Sequence, residues 1–112
     1  MRRSGLSYEN YGQTDIISGQ QALGMLMDMY HAHMAAGGVH SSMRVDVLAF
    51  CGNFEWHRFL MGRPWGRELV AQGIAQLHLV WRDQEGVALR VETSTETCHI
   101  VFRGDRACLL RT

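Results

Sequence analysis

The last third of the chain, residues 77–111, limits the possible folds most, because apolar and polar residues alternate there between short turn signals. Turns at 83–86, 94–95 and 104–105 divide the segment into four strands. The pattern therefore predicts a four-stranded antiparallel meander. Its turns imply the pairs Val80–Leu89, Leu89–Ile100, Val91–Cys98, Ile100–Leu109 and Phe102–Ala107.

These registers sort the side chains into two faces, since neighbouring residues of a strand point to opposite sides. The first face is almost wholly apolar and is predicted to form the core, with His78 and Arg82 near its rim: Val80, Val87, Leu89, Val91, Cys98, Ile100, Phe102, Ala107 and Leu109. The second face is mixed: Leu79, Trp81, Ala88, Arg90, Glu92, His99, Val101, Arg103, Arg106, Cys108 and Leu110. Because a solvated face does not normally combine so many apolar residues, either another part of this chain or a partner covers it.

A methionine-rich helix is predicted upstream of the meander. Ser18 and Gln21 have capping-box spacing, and Gly37 and Gly38 provide a C-terminal stop. The apolar stripe of this helix is expected to pack on the core face: Leu23, Leu26, Met27, Tyr30 and Met34.

Residues 43–61 are predicted to form a hairpin around Gly52 and Asn53, followed by a short helix near 66–73. The fold class is then α+β, with one long N-terminal helix packed on a curved, mostly antiparallel sheet. We expect a flexible lead-in at 1–14 and a single domain at 15–112.

The composition argues against several classes of protein and of functional site. The formal net charge is zero and the basic residues are all arginine, which argues against a nucleic-acid binder. No apolar run is long enough to cross a membrane. Three scattered cysteines do not make a disulfide framework, so a cytoplasmic location is expected. Neither close pairs of metal ligands nor a phosphate-binding glycine loop occurs, so we predict no metal, no cofactor and no catalytic residue.

The first functional hypothesis is a small non-enzymatic interaction module, such as an inhibitor, adaptor or accessory protein. It would bind a protein partner, or a second copy of itself as a homodimer, through the second face of the meander. Trp81 would serve as the anchor. The proposed interaction residues are Trp81, Leu79, Arg90, His99, Val101, Arg103 and Leu110.

The alternative is a cone-shaped domain that binds or hydrolyses a small ligand in a pocket between helix and sheet. Methionines and two tryptophans would line this pocket, and a histidine would act as acid or base. The residues proposed for it are His33, Trp56, His57, Trp65 and His78.

Overall fold

The computed structural model describes residues 6–8, 13–38, 42–81, 86–104 and 106–111, with side chains from residue 19 onward. Its helices are α1 (Gln13–Ala35), α2 (Val47–Gly52), α3 (Phe54–Met61) and α4 (Pro64–Gln72). Its strands are β1 (Leu6–Tyr8), β2 (Met43–Val45), β3 (Ile74–Val80), β4 (Gly86–Thr93), β5 (Thr97–Arg103) and β6 (Arg106–Arg111). The strands form one antiparallel sheet in the order β1-β6-β5-β4-β3-β2.

The predicted α+β class is confirmed, with a long helix lying against a sheet whose centre is the meander β3–β6. Helix α1 ends as expected: Gly37 adopts a φ of 89°, and the Gly38 amide donates to the His33 carbonyl. The helix begins at Gln13, five residues before the predicted cap. The short helix predicted near 66–73 is also present as α4, which begins at Pro64.

Two of the three predicted meander registers are confirmed. Strands β4 and β5 pair Val91 with Cys98. Strands β5 and β6 pair Phe102 with Ala107. The turn residue Asp105 lies outside the described residues.

The predicted register between β3 and β4 is wrong by one residue. Val80 pairs with Ala88, and Leu79 pairs with Leu89. This shift reverses the faces of β3. It buries Leu77 and Leu79 completely on the core side, in the place predicted for His78 and Val80. The connection at 82–85, which includes Arg82 and most of the predicted turn, lies outside the described residues.

The predicted hairpin at 43–61 is wrong beyond its first three residues. The carboxylate of Asp46 accepts hydrogen bonds from the Leu48 and Ala49 amides, so it caps α2. The side-chain oxygen of Asn53 accepts from the Glu55 and Trp56 amides and caps α3. Asn53, which was expected to form a turn, therefore starts a helix.

The buried side of α3 has helical rather than strand spacing. Trp56, Phe59 and Leu60 are its buried residues, at intervals of three and one. The Trp56 and Phe59 rings both contact the ring of Phe102 on β5, with centroids 5.9 and 5.3 Å apart. These contacts join the helices to the central strands in one core.

Arg63 is a buried cation in this core, with 1% of its surface exposed. Its guanidinium lies over the Phe59 ring, 3.9 Å from the centroid, and donates to the Phe59 carbonyl. The aromatic face and the carbonyl together compensate for part of the lost hydration of the charge.

The sheet also includes part of the region predicted as a lead-in. Residues 6–8 form β1 and pair with β6 at one edge, whereas 1–5 and 9–12 lie outside the described residues. Among the helices within the described ranges, none has the length and apolar character needed to span a membrane.

Candidate functional site

The side of the sheet that faces away from the helices is the candidate site. The core cluster contains side chains from all four helices and from only one face of the sheet. We call the other side the outer face; its residues with described side chains are Arg44, Gln76, His78, Val80, Gly86, Ala88, Arg90, Glu92, Thr97, His99, Val101, Arg103, Arg106, Cys108 and Leu110. At its edge, Leu6 and Tyr8 of β1 pair with Leu110 and Cys108. No helix within the described ranges packs on it.

A row of arginine and histidine crosses the middle of the outer face. Arg44 pairs with His78, His78 with Arg90, and Arg90 with His99. Directly opposed residues of an antiparallel pair have Cβ atoms about 4.5–5.5 Å apart. The row thus places two guanidinium groups and two imidazoles side by side across four strands.

An apolar row runs beside this polar row. It consists of Val80, Ala88, Val101 and Cys108 in register across β3, β4, β5 and β6. Ala88 has no exposed surface and Cys108 has 5%, whereas the two valines are half-buried. Ala88 and Cys108 are therefore covered, and the two valines carry the exposed part of this row.

The charge of the outer face differs from that of the whole chain. Within the described part of the chain, it carries the arginines Arg44, Arg90, Arg103 and Arg106 and one carboxylate, Glu92, although the chain has a formal net charge of zero. Glu92 lies 3.5 Å from the Nε atom of Arg90, and both side chains are 36% exposed. Among the described residues of this face, arginines therefore outnumber carboxylates.

Nucleophilic chemistry has little support on this face. The Cys108 thiol lies 3.9 Å from the Val101 carbonyl and donates to it. On the core side, burial raises the pKa of Cys98 to about 11, and nearby Glu96 adds to this effect. Burial also raises the pKa of Cys51. These shifts favour thiols over the thiolates that attack substrates.

Five of the seven predicted interaction residues lie on the outer face, and two do not. Arg90, His99, Val101, Arg103 and Leu110 are placed as expected. Leu79 and Trp81 are corrections, because the shifted register of β3 turns both toward the helices. Leu79 is 1% exposed in the core.

Trp81 lies just beyond β3 and stacks on Tyr30 of α1. The ring centroids are 4.5 Å apart and the planes are inclined by 17°. Trp81 also packs against the core cluster. Its placement is that of a helix–sheet contact, not of an anchor on the outer face.

Three outer-face residues were missed by the sequence patterns, and one of them, Val80, was assigned to the core face. Arg44 was assigned to a hairpin that does not form, and His78 was assigned to the core rim. The alternation of Leu77, Leu79 and Trp81 is the signal that indicates the correct face for β3. With that face buried, His78 and its partner Arg44 must point outward.

The residues proposed for the alternative pocket do not converge. Trp56 and Trp65 are buried on either side of Phe59, whose ring they contact at 5.5 and 6.1 Å. His57 is exposed on α3, and His78 lies on the outer face, on the other side of the sheet. His33 is in the last turn of α1.

A groove of about 260 Å³ does exist between α1, β2 and α2. Trp56 is the one residue of the proposed pocket set that lines it, and methionines contribute as expected. Its lining residues are Met25, Met29, Val45, Asp46, Ala49, Phe50, Asn53 and Trp56. Within the described part of the chain, histidine, cysteine and carboxylate side chains form no group of three or more able to hold a metal ion.

Comparison with known proteins yields no relative. No protein-family model matches the sequence, and neither the curated proteins nor the solved structures contain a significant match.

Proposed function

We propose that this protein is a small non-enzymatic interaction module that binds an acidic segment of a protein partner on its outer face. The observation that carries the proposal is the concentration of four arginines against one carboxylate on the sheet surface that no described helix covers. Arginine binds carboxylates with two parallel hydrogen bonds, so an acidic partner matches this surface better than a neutral one.

The apolar row would add apolar contacts to the charge pairs between the outer face and an acidic segment. Val80 and Val101 are half-buried beside Arg90 and His99, so a bound segment would contact apolar side chains while its carboxylates reach the arginines. Protein interfaces combine an apolar centre with arginine-rich polar surroundings in this way.

A second copy is a poorer match for the outer face than an acidic partner. Two such faces would bring arginines against arginines, and like charges in an interface oppose association. Cys51, Cys98 and Cys108, all within the described residues, form no disulfide. Free thiols are typical of a reducing compartment, so we place the protein in the cytoplasm as part of the same proposal.

The test measures binding of a fluorescein-labelled peptide of alternating glutamate and valine by anisotropy. We expect binding that weakens with added salt, since exposed charge pairs are screened. The double substitution Arg90→Gln with Arg103→Gln should reduce affinity about fivefold to tenfold. Arg58→Gln, an exposed site on α3, is the matched control and should have no effect.

A neutral peptide and an oligonucleotide distinguish an acidic protein partner from other kinds of partner. A peptide of alternating glutamine and valine should bind more weakly than the acidic one, and a single-stranded oligonucleotide of equal length should not compete. Stronger binding of the oligonucleotide would overturn the assignment of a protein partner. Equal losses from the double substitution and from Arg58→Gln would overturn the assignment of the outer face.

A further inference from the structure

Helix α2 has a composition that does not suit a surface helix. Its sequence, VLAFCG, contains no charged residue and no hydrogen-bonding side chain other than a thiol. Helices that are apolar on every side are normally buried. Here Phe50 is buried, but Leu48 is 85% exposed on the opposite side. The helix therefore leaves an apolar surface in contact with solvent.

This surface continues across the α2–α3 junction. Phe54, the first residue of α3, is 70% exposed, and Ala49 on α2 is exposed as well. We call Leu48, Ala49 and Phe54, together with the groove beside them, the α2 patch. Large apolar side chains grouped in this way mark interaction sites more often than isolated ones do.

The groove supplies a cavity within the same patch. Its apolar walls are Met25, Met29, Val45, Ala49, Phe50 and Trp56. Its volume of about 260 Å³ is below the range of about 300–1,000 Å³ that is usual for small-molecule sites. The size suits a single large apolar side chain, and methionine walls adapt readily to such a guest.

We infer that the α2 patch is the interface of a symmetric homodimer, in which Phe54 or Leu48 of each copy enters the groove of the other. A two-fold interface uses the same surface on both subunits, so this surface must contain both a projection and a matching cavity. The patch contains both: two side chains that are mostly exposed, and a groove of the size of one side chain.

The charged residues that border the α2 patch are compatible with a second copy of the chain as its partner. The ionic residues around the patch have both signs: Arg44 and Asp46 on one side, Glu55 and Arg58 on the other. A copy therefore meets no net repulsion, in contrast to the arginine-rich outer face. Because the patch is on the helical side of the sheet, the dimer would leave the outer face accessible. Apart from Arg44, which borders both surfaces, the dimer interface shares no residue with the outer face.

Sedimentation velocity over a wide concentration range tests the inference with the full chain. We expect a monomer–dimer equilibrium in the wild type. Leu48→Asp and Phe54→Asp should each raise the dimer dissociation constant at least about tenfold, because a symmetric interface contains every residue twice. Both side chains are largely exposed, so neither substitution removes a core contact.

Three further variants test the cavity, a control site on α4 and the outer face in turn. Ala49→Trp should fill the groove and weaken the dimer while leaving the projecting residues intact. Val70→Asp, at a 38% exposed site on α4, is the matched control and should leave the dimer unchanged. Arg90→Gln should also leave it unchanged, which distinguishes this interface from the peptide-binding face.

A wild-type protein that stays monomeric at all concentrations would overturn the inference. So would a dimer that is insensitive to Leu48→Asp, Phe54→Asp and Ala49→Trp, or one that dissociates equally with Val70→Asp. Loss of peptide binding in Leu48→Asp or Phe54→Asp, or loss of the dimer in Arg90→Gln, would show that the two surfaces have been assigned wrongly.

Discussion

Replacing Trp81 with alanine should destabilise the fold without affecting binding at the outer face. Truncation of a fully buried large aromatic residue costs about 3–5 kcal/mol, and Trp81 is only partly buried, so we expect about 2–3 kcal/mol. Of this loss, about 1 kcal/mol should come from stacking on Tyr30, because offset aromatic pairs contribute about 0.5–1.5 kcal/mol beyond area burial.

Urea denaturation of a double-mutant cycle measures both quantities. The cycle compares the wild type with Trp81→Ala, Tyr30→Ala and the double variant, and the non-additive part reports the stacking. Val80→Ala is a control on the neighbouring residue of the opposite face, where about 1 kcal/mol or less is expected. Additive effects, with a loss from Trp81→Ala no larger than that from Val80→Ala, would refute the corrected register of β3.

Three other predictions concern the fold. Because burial raises the pKa of Cys98 to about 11 from about 9, the folded state keeps a proton that the unfolded chain loses. This group should therefore leave the free energy of unfolding unchanged below about pH 9 and lower it between about pH 9 and 11. The decrease should be absent in Cys98→Ala. Gly66→Ala should cost at least about 3 kcal/mol in thermal or urea unfolding, since the methyl group would overlap the Leu60 carbonyl, whereas Gly52→Ala meets nothing within 4 Å and should be close to neutral. Asn53→Ala should cost about 1 kcal/mol by removing the cap of α3, and Asn53→Asp should retain most of it. Flat stability above pH 9, equal glycine effects, or identical losses from both Asn53 variants would contradict these expectations.

The sequence predicted the meander well where alternation and turn residues agreed. Around the 94–95 turn the apolar residues Leu89, Val91, Cys98 and Ile100 allow one register that buries them together, and the structure has that register. The connection before β4 offered less information. A two-residue turn there implied Val80–Leu89, but the burial of Leu77 and Leu79 decides in favour of a register shifted by one residue.

Residues 43–61 were misjudged because capping residues and turn residues are the same types. Asp46 and Asn53 are common in turns and equally common at helix N-termini. The local pattern around Gly52 and Asn53 fits a hairpin, whereas the spacing of Trp56, Phe59 and Leu60 fits a helix. Tertiary packing of Trp56 and Phe59 on Phe102 decides the outcome, and that contact is not visible in the local sequence.

The candidate site was predictable in part for the same reasons. Arg90, His99 and Arg103 lie on strands whose register was correct, so their face was correct. Arg44 and His78 complete the polar row only after β2 and β3 are paired in their actual register. The exposed α2 patch was not visible at all, because a strand was expected where α2 forms.

The most direct test of the outer face as the binding surface follows arginine and histidine side-chain resonances by NMR during titration with the acidic peptide. We expect two sets of signals to shift as the peptide binds: the Nε–Hε signals of Arg90 and Arg103, and the imidazole signals of His78 and His99. The exposed Arg58 on α3 provides the internal reference and should stay unchanged. Shifts confined to Arg58 and the helical side, or no shift at the outer face under saturating peptide, would contradict this expectation.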